Sequence, residues 1–246
     1  MNSRSVKSRF MSTENVLEIT DLEFGWRAGT TLLDISSFNI PQGTSVFLKG
    51  PSGSGKSTLL GLIGGVLELR SGSIVVSGAE LASASPAKKD RIRADNLGII
   101  FQQFNLLPYL SVLGNITLPC RFSSRRRKTS EEKFGSPNHE ARHLVAALGL
   151  PDEIISSPVA ELSVGQQQRV AVARALIGGP KLIIADEPTS ALDSENRDLF
   201  IELLNEQRSA FNSSLLFVSH DSSLAGHFDR QEELVNLNRS TIEVET

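Results

Sequence analysis

The 246-residue chain has one cysteine, Cys120, one tryptophan, Trp26, and one tyrosine, Tyr109. A single cysteine excludes an internal disulfide, and nothing sets it in a metal-ligating pattern, so a reducing compartment is compatible with the sequence. Long apolar runs are also absent. The longest stretch of apolar residues and glycine, residues 59–67, falls well short of the roughly 18 residues that suggest a membrane span. The basic first ten residues are not followed by an apolar core of signal-peptide length. These absences lead to the expectation of a soluble, unexported chain that other chains must hold if it works at a membrane. Charge of one sign is lacking too. A net charge of −3 gives bulk electrostatics no argument for a general nucleic-acid binder.

What remains is ordinary globular usage, long enough for one large domain with a full core. Residues 1–13 are polar and basic and read as a loose extension, with Met11 a second candidate start. Strand-like runs begin at 16–19 and 32–40. "TSVFLKG" reads as a buried strand entering a glycine turn, and "KSTLLGLIGGVLEL" as a helix that Gly64 and Gly65 weaken or end. "GSIVVSG" is a short strand, and residues 83–95 are partly helical. The apolar, proline-interrupted "LGIIFQQFNLLPYLSVLGNITLP" suits a packed irregular connection. The next stretch, residues 121–133, sets Arg121, Arg125, Arg126, Arg127, Lys128 and Lys133 against Glu131 and Glu132. It reads as a solvated loop or as a patch for anionic lipid or an acidic partner face. "HEARHLVAALGL" is an amphipathic helix. "SENRDLFIELLNEQRSA" is a periodic helix with Leu199, Leu203 and Leu204 on one side. "KLIIAD" and "SLLFVSHD" are buried strands, and "EELVNLNRSTIEVE" closes the chain as β structure. Strands alternating with helices predict a mostly parallel sheet covered on both faces, with ligands at the strand ends.

"GPSGSGKST", Gly50-Pro51-Ser52-Gly53-Ser54-Gly55-Lys56-Ser57-Thr58, matches the phosphate-cradling pattern G-x-x-x-x-G-K-[ST] in full. Glycines let the backbone approach phosphates that side chains would block, and the next helix adds its positive end. Lys56 is placed for the β and γ phosphates and Ser57 for Mg²⁺. Asp186, closing "KLIIAD", is placed to hold Mg²⁺ directly or through water. Glu187 points elsewhere. It is free to polarise an attacking water, or it caps the turn at Pro188 and Thr189. His220 ends a strand one helical crossover later, either as a structural histidine or as a donor near the γ phosphate. Of Gln102 and Gln103, one amide is placed to touch Mg²⁺ or water and the other to pack. Trp26, in "FGWRAG", either stacks on a purine or is a half-buried aromatic. Further on, "LSVGQQQRVAVARAL" starts a helix at Ser163. Gln166 three residues later completes a capping box.

Together "GPSGSGKST", "FQQ", "LSVGQQQRVAVARAL", "IIADEPTSALD" and Ser219-His220, in this order, resemble the nucleotide-binding subunit of an ABC transporter from about residue 16 onward. "FQQFNLLPYLSVLGNITLP" is similar to the branch holding lipoprotein-releasing (LolD-type), macrolide-efflux (MacB-type) and cell-division (FtsE-type) ATPases. The resemblance implies a P-loop NTPase (RecA-like) α/β core, an antiparallel β subdomain and an α-helical signature subdomain at about 103–172. These lie within one domain spanning 14–246. It implies that Trp26 stacks on adenine, that Gln102 is the Q-loop glutamine, that Glu187 is the catalytic base and that His220 is the switch histidine. It also implies that Ser190, Ala191, Leu192 and Asp193 form the loop crossing to a second subunit. Two departures stand out: Val164 replaces a common glycine between Ser163 and Gly165-Gln166, and Trp26 replaces a commoner tyrosine.

The resemblance further implies a head-to-tail homodimer in which the helix at Ser163 meets the γ phosphate held by the other subunit, with ATP and Mg²⁺ as ligands. It implies a separately encoded integral membrane permease, contacted between Gln102 and Pro119, and a peripheral place on the cytoplasmic face of the inner membrane. An ABC ATPase acting on ribosomes or DNA is the competing class, but such chains often carry tandem cassettes or a long coiled-coil insertion, neither found here. An ATP-binding regulator without turnover is disfavoured because Lys56, Asp186, Glu187 and His220 are all present.

Overall fold

The computed structural model describes residues 14–240 except 28, 191 and 193, and of residues 194–196 only the helical backbone. The expected extension 1–13 and the positions Ala191 and Asp193 therefore lie outside the described residues. In chain order the elements are β1 (Asn15–Phe24), β2 (Leu33–Pro41), β3 (Ser45–Lys49), α1 (Lys56–Ile63), β4 (Ser71–Val76), β5 (Ala79–Glu80) and α2 (Pro86–Asn96). Then come β6 (Leu97–Ile100), α3 (Val112–Phe122), α4 (Ser124–Phe134), α5 (Pro137–Ala147) and α6 (Val164–Leu176). The chain continues through β7 (Leu182–Asp186), α7 (Ser194–Ala210), β8 (Ser214–Ser219), β9 (Arg230–Glu233) and α8 (Leu234–Leu237).

Two sheets result. One is antiparallel, in the order β2-β1-β4-β5; the other is fully parallel, in the order β6-β7-β8-β3-β9. The parallel strands are apolar throughout because both of their faces are covered. Phe47, Ile183, Ala185, Leu215 and Phe217 join the core beneath the helices of the middle of the chain. Their neighbours Val46, Leu48, Leu182, Ile184, Leu216 and Val218 point the other way, into a second core shared with α1 and the antiparallel sheet. The two-residue alternation of side chains along a strand makes one sheet the wall of two cores.

Four local readings are corrected. The segment after β6 is not wholly irregular: it becomes α3, capped by Ser111, whose side chain accepts from the Gly114 N–H. Pro119 falls in the last turns of α3, where it costs one i→i−4 bond without breaking the helix. Residues 234–237, read as β structure, turn helical as α8, where Leu234 and Leu237, three residues apart, share one inward face; residues 241–246 lie outside the described residues. In α7 the buried stripe is Phe200, Ile201 and Leu204, while Leu199 is 58% exposed.

The basic stretch is not a loop. Residues 121–122 end α3 and the rest folds as α4, with Arg126 buried at its centre while Arg121, Arg127, Lys128 and Lys133 stay exposed. Arg126 Nε donates to Ile177 O at 2.7 Å, Nη2 to Ala175 O at 2.7 Å and Nη1 to Leu97 O at 3.2 Å. Arg125 donates to Asp95 O and Gly179 O, and Arg127 to Cys120 O. These arginines satisfy carbonyls left over at the C-terminal end of α6 and nearby, where cations also suit the helix dipole. Burial lowers the Arg126 guanidinium to about 10 and raises the Cys120 thiol to about 11. Arg126 thus stays charged at neutral pH.

Candidate nucleotide site

The carboxyl ends of β3, β7 and β8 open into a cleft of about 830 Å³, lined by phosphate-loop residues together with Trp26, Leu32, Gln102, Asp186, Glu187 and His220. Sequence-distant groups converge here because strand ends in register deliver them to one edge of the sheet. Gly53 and Gly55 take φ of +79° and +94°, so the loop turns at positions where an L side chain would be strained. Gly55 caps α1 with no side-chain acceptor for the first-turn amides, leaving them for an anion.

Lys56 is 9% exposed, and its Nζ donates to Gly50 O at 2.7 Å and Pro51 O at 2.8 Å. It also stands 3.8 Å from Glu187 Oε1. Ser57 Oγ donates to Asp186 Oδ2 at 3.3 Å. Burial raises the Asp186 carboxyl and the neighbouring Glu187 carboxylate raises it further, against the lowering effects of the Ser57 bond and Lys56. A cation between Ser57 and Asp186 would offset this cost.

Glu187 adopts φ +46°, a left-handed conformation costly for a non-glycine residue, and its N–H donates to Val218 O at 2.9 Å. The strained turn brings the carboxylate to His220, whose Nδ1 lies 2.9 and 3.0 Å from its two oxygens, and to Ser219 Oγ at 3.4 Å. Lys56, Ser219 and His220 therefore surround one carboxylate. A carboxylate fixed by three neighbours at the edge of a cleft has the placement that a general base needs.

The structure separates the paired candidates. Gln102 lines the cleft and Gln103 does not. Trp26 lines the cleft and is 62% exposed, in a T-shaped contact with Phe24 at a ring-centroid distance of 5.3 Å. The turn at Ser163 has the expected capping box: Gln166 N–H donates to Ser163 Oγ at 3.3 Å and Ser163 N–H to Gln166 Oε1 at 3.0 Å. Ser163, Val164, Gly165 and Gln166 do not line their own chain's cleft. Val164 is 57% exposed, and with Gly165 it borders a smaller hollow shared with Leu192, Leu199 and Leu203. Ser190 and Leu192 lie beyond Glu187, on a hollow that also includes Arg197 and Asp221.

One residue was missed from sequence. Gln168 is buried and its Nε2 donates to Pro188 O at 2.8 Å, tying α6 to the turn that follows Glu187. Its phase was a usable signal: Gln168, Ala171, Val172 and Ala175 repeat at helical spacing and are all buried.

Residues 33–190 match the family model described as ABC transporter. The chain is 36% identical over 230 residues to the Uncharacterized ABC transporter ATP-binding protein Rv0986 of Mycobacterium tuberculosis (strain ATCC 25618 / H37Rv), covering 92% of this chain and 88% of that protein. The same figures hold for the Uncharacterized ABC transporter ATP-binding protein MT1014 of strain CDC 1551 / Oshkosh. Among solved structures, the dimeric post-hydrolysis state of the ATP-binding cassette MJ0796 bound to ADP and Pi is similar at a TM-score of 0.76 and 32% identity, over 88% of this chain and 93% of that one. The CbiO1 protein of Clostridium perfringens, part of the ABC transporter complex cbiONQ, is similar at a TM-score of 0.74 and 26% identity, over 89% and 84%. With its phosphate loop, acidic strand and histidine gathered at one sheet edge, the chain belongs to the ABC transporter family as an ATP-binding subunit, an ATPase of the P-loop cassette fold.

Proposed function

We propose that two copies of this chain close head to tail around two ATP molecules and that hydrolysis reopens them, driving a conformational change in a separately encoded membrane permease. The observation that carries this reading is a mismatch of location. The phosphate loop, Asp186, Glu187 and His220 share one cleft, while the turn Ser163–Gln166 lies outside it with Val164 exposed. A second subunit gives that helix N-terminus an anion to meet. The dimeric cassettes among the similar structures support the same arrangement.

In this reading the phosphate-loop amides and Lys56 hold the triphosphate, and Trp26 stacks on adenine. Glu187 accepts a proton from the attacking water, and His220 fixes the Glu187 carboxylate and senses the γ phosphate. Ser190 to Asp193 cross to the other subunit. Ser57, Asp186 and Gln102 offer hard oxygen donors, and among the described residues no group of three or more His, Cys, Asp or Glu side chains could hold a metal. Such a set fits Mg²⁺, which takes its remaining ligands from phosphate and water and when bound neutralises the charge that develops on the transferred phosphoryl group. No described helix is long and apolar enough to cross a membrane. In this reading the permease is a separate chain and this subunit is peripheral at the cytoplasmic face. Export, lipoprotein extraction and mechanotransmission are the tasks that suit the resemblance of residues 101–119.

The test is Glu187→Gln. We expect ATP binding to persist, turnover to fall by roughly 10²–10⁴, and light scattering to show a dimer with ATP and magnesium. A monomer at high concentration of both, even with the permease supplied, or near-normal hydrolysis would overturn the reading. Recovery of ribosomes without any integral membrane protein from detergent extracts would remove the permease from it.

A further inference from the structure

Away from the phosphate loop, Trp26 and Leu32 wall the cleft. Leu32 is held to this wall from the strand side, where its N–H donates to Phe24 O at 2.8 Å. Its carbonyl is held from a different direction, by residues over 200 positions away. Asn238 Nδ2 donates to Leu32 O at 2.9 Å, and Ser240 Oγ donates to the same oxygen at 3.0 Å. Asn238 Oδ1 accepts the Asp34 N–H at 2.7 Å. One amide thus grips the backbone on both sides of Leu33, as a neighbouring strand would. The Arg239 N–H donates to Asp34 O at 2.7 Å, and its guanidinium meets Asp34 Oδ1 at 2.6 Å.

The other end of the same segment touches the phosphate loop. Leu234 is fully buried at the start of α8, and a Cβ placed on Gly50 would lie 3.4 Å from its Cβ. Asn238 N–H closes α8 by donating to Leu234 O at 2.8 Å. The wall itself rests on the loop: a Cβ on Gly55 would fall 2.9 Å from Leu33 Cδ2 and 3.4 Å from Leu32 Cγ.

We propose that residues 234–240 form a strap that sets the distance between the base wall and the phosphate loop, with Asn238 as its positioning residue for nucleotide. The proposal rests on the part of the reading above that puts the base at the Trp26 end of the cleft. Without Asn238 the Leu32 carbonyl and the Asp34 N–H lose their amide partner, and the wall loosens while the phosphate cradle keeps its own bonds. The consequence is selective: affinity for the base side of ATP falls and affinity for its phosphates does not.

The experiment compares ATP with tripolyphosphate, which lacks base and ribose, on the full chain. Asn238→Ala is expected to raise the KM for ATP roughly tenfold, the equivalent of one or two lost hydrogen bonds, with kcat unchanged. Inhibition by tripolyphosphate is expected to stay within twofold of the parent, allowing roughly 0.4 kcal/mol for indirect effects. A merely structural loss would weaken both ligands together. Ser240→Ala removes one hydroxyl from the same carbonyl and should raise the KM for ATP roughly two- to threefold; it carries the test should Asn238→Ala not fold. An unchanged KM for ATP, or an equal loss for tripolyphosphate, overturns the strap. Trp26→Ala run beside them separates the two readings. If it leaves the KM for ATP unchanged while Asn238→Ala raises it, the stacking reading fails and the strap stands. If Trp26→Ala raises it and Asn238→Ala does not, the strap fails and stacking stands.

Discussion

Lys56 and Arg126 are both cations withdrawn from water, and both donate to main-chain carbonyls. Their surroundings differ in one respect. Lys56 sits at the floor of the cleft, on carbonyls that belong to the phosphate loop, with the Glu187 carboxylate 3.8 Å away. Arg126 is enclosed and spends its guanidinium on Leu97, Ala175 and Ile177, carbonyls of β6 and of the end of α6. A buried cation left one competitor short of saturation can exchange partners when a phosphate arrives. One that is saturated by backbone acceptors holds elements together and nothing else. The same physical chemistry therefore leaves a donor available to a ligand in one place and makes a bolt in the other.

The largest effect should come from breaking the bolt. Arg126→Met leaves three buried carbonyls without donors and should cost about 3–5 kcal/mol of unfolding free energy, read from the urea midpoint. The matching change in the cleft, Lys56→Met, should keep unfolding stability within about 1 kcal/mol of the parent. It should weaken ATP binding roughly 10- to 100-fold in a titration. Equal stability losses for the two would erase the distinction. Arg126→Lys sharpens it further: charge is kept but one ammonium cannot span carbonyls on both β6 and α6, so about 1–2 kcal/mol should be lost.

The smallest effect concerns Asp186, whose carboxyl burial holds above the usual 3.8. Its folded state binds the proton more tightly than the unfolded chain. The stability it contributes is therefore full below 3.8 and lost as pH rises through the raised value. Asp186→Asn removes that loss. The melting temperature of the nucleotide-free variant should gain on the parent as pH climbs from about 4 toward neutrality. A difference independent of pH would show that Asp186 titrates normally.

Much of the site was legible because its pieces are short and local. A glycine-rich turn between an apolar strand and a helix, a carboxylate closing "KLIIAD", and a Ser-x-x-Gln capping box each follow from backbone rules that act over a few residues. What escaped depends on distant partners. Gln102 and Gln103 are equivalent until the turn after β6 aims one of them at the cleft. Arg126 resembled its charged neighbours, because no local pattern reveals four residues' worth of distant carbonyls awaiting a donor. Leu199 fitted the apolar stripe of α7 by spacing, yet the core takes Phe200, Ile201 and Leu204 instead.

The sequence by itself determined the chemistry on offer: a phosphate cradle, two successive acidic side chains at a strand end, a histidine one crossover later, and a capped helix with an exposed start. Tertiary structure alone decided which of these share a cleft, which cation keeps donors to spare, and that Asn238 and Ser240 reach back to Leu32. The reason is that hydrogen-bonding capacity is written in each residue, whereas burial and the identity of a partner are set only when strands from opposite ends of the chain lie side by side.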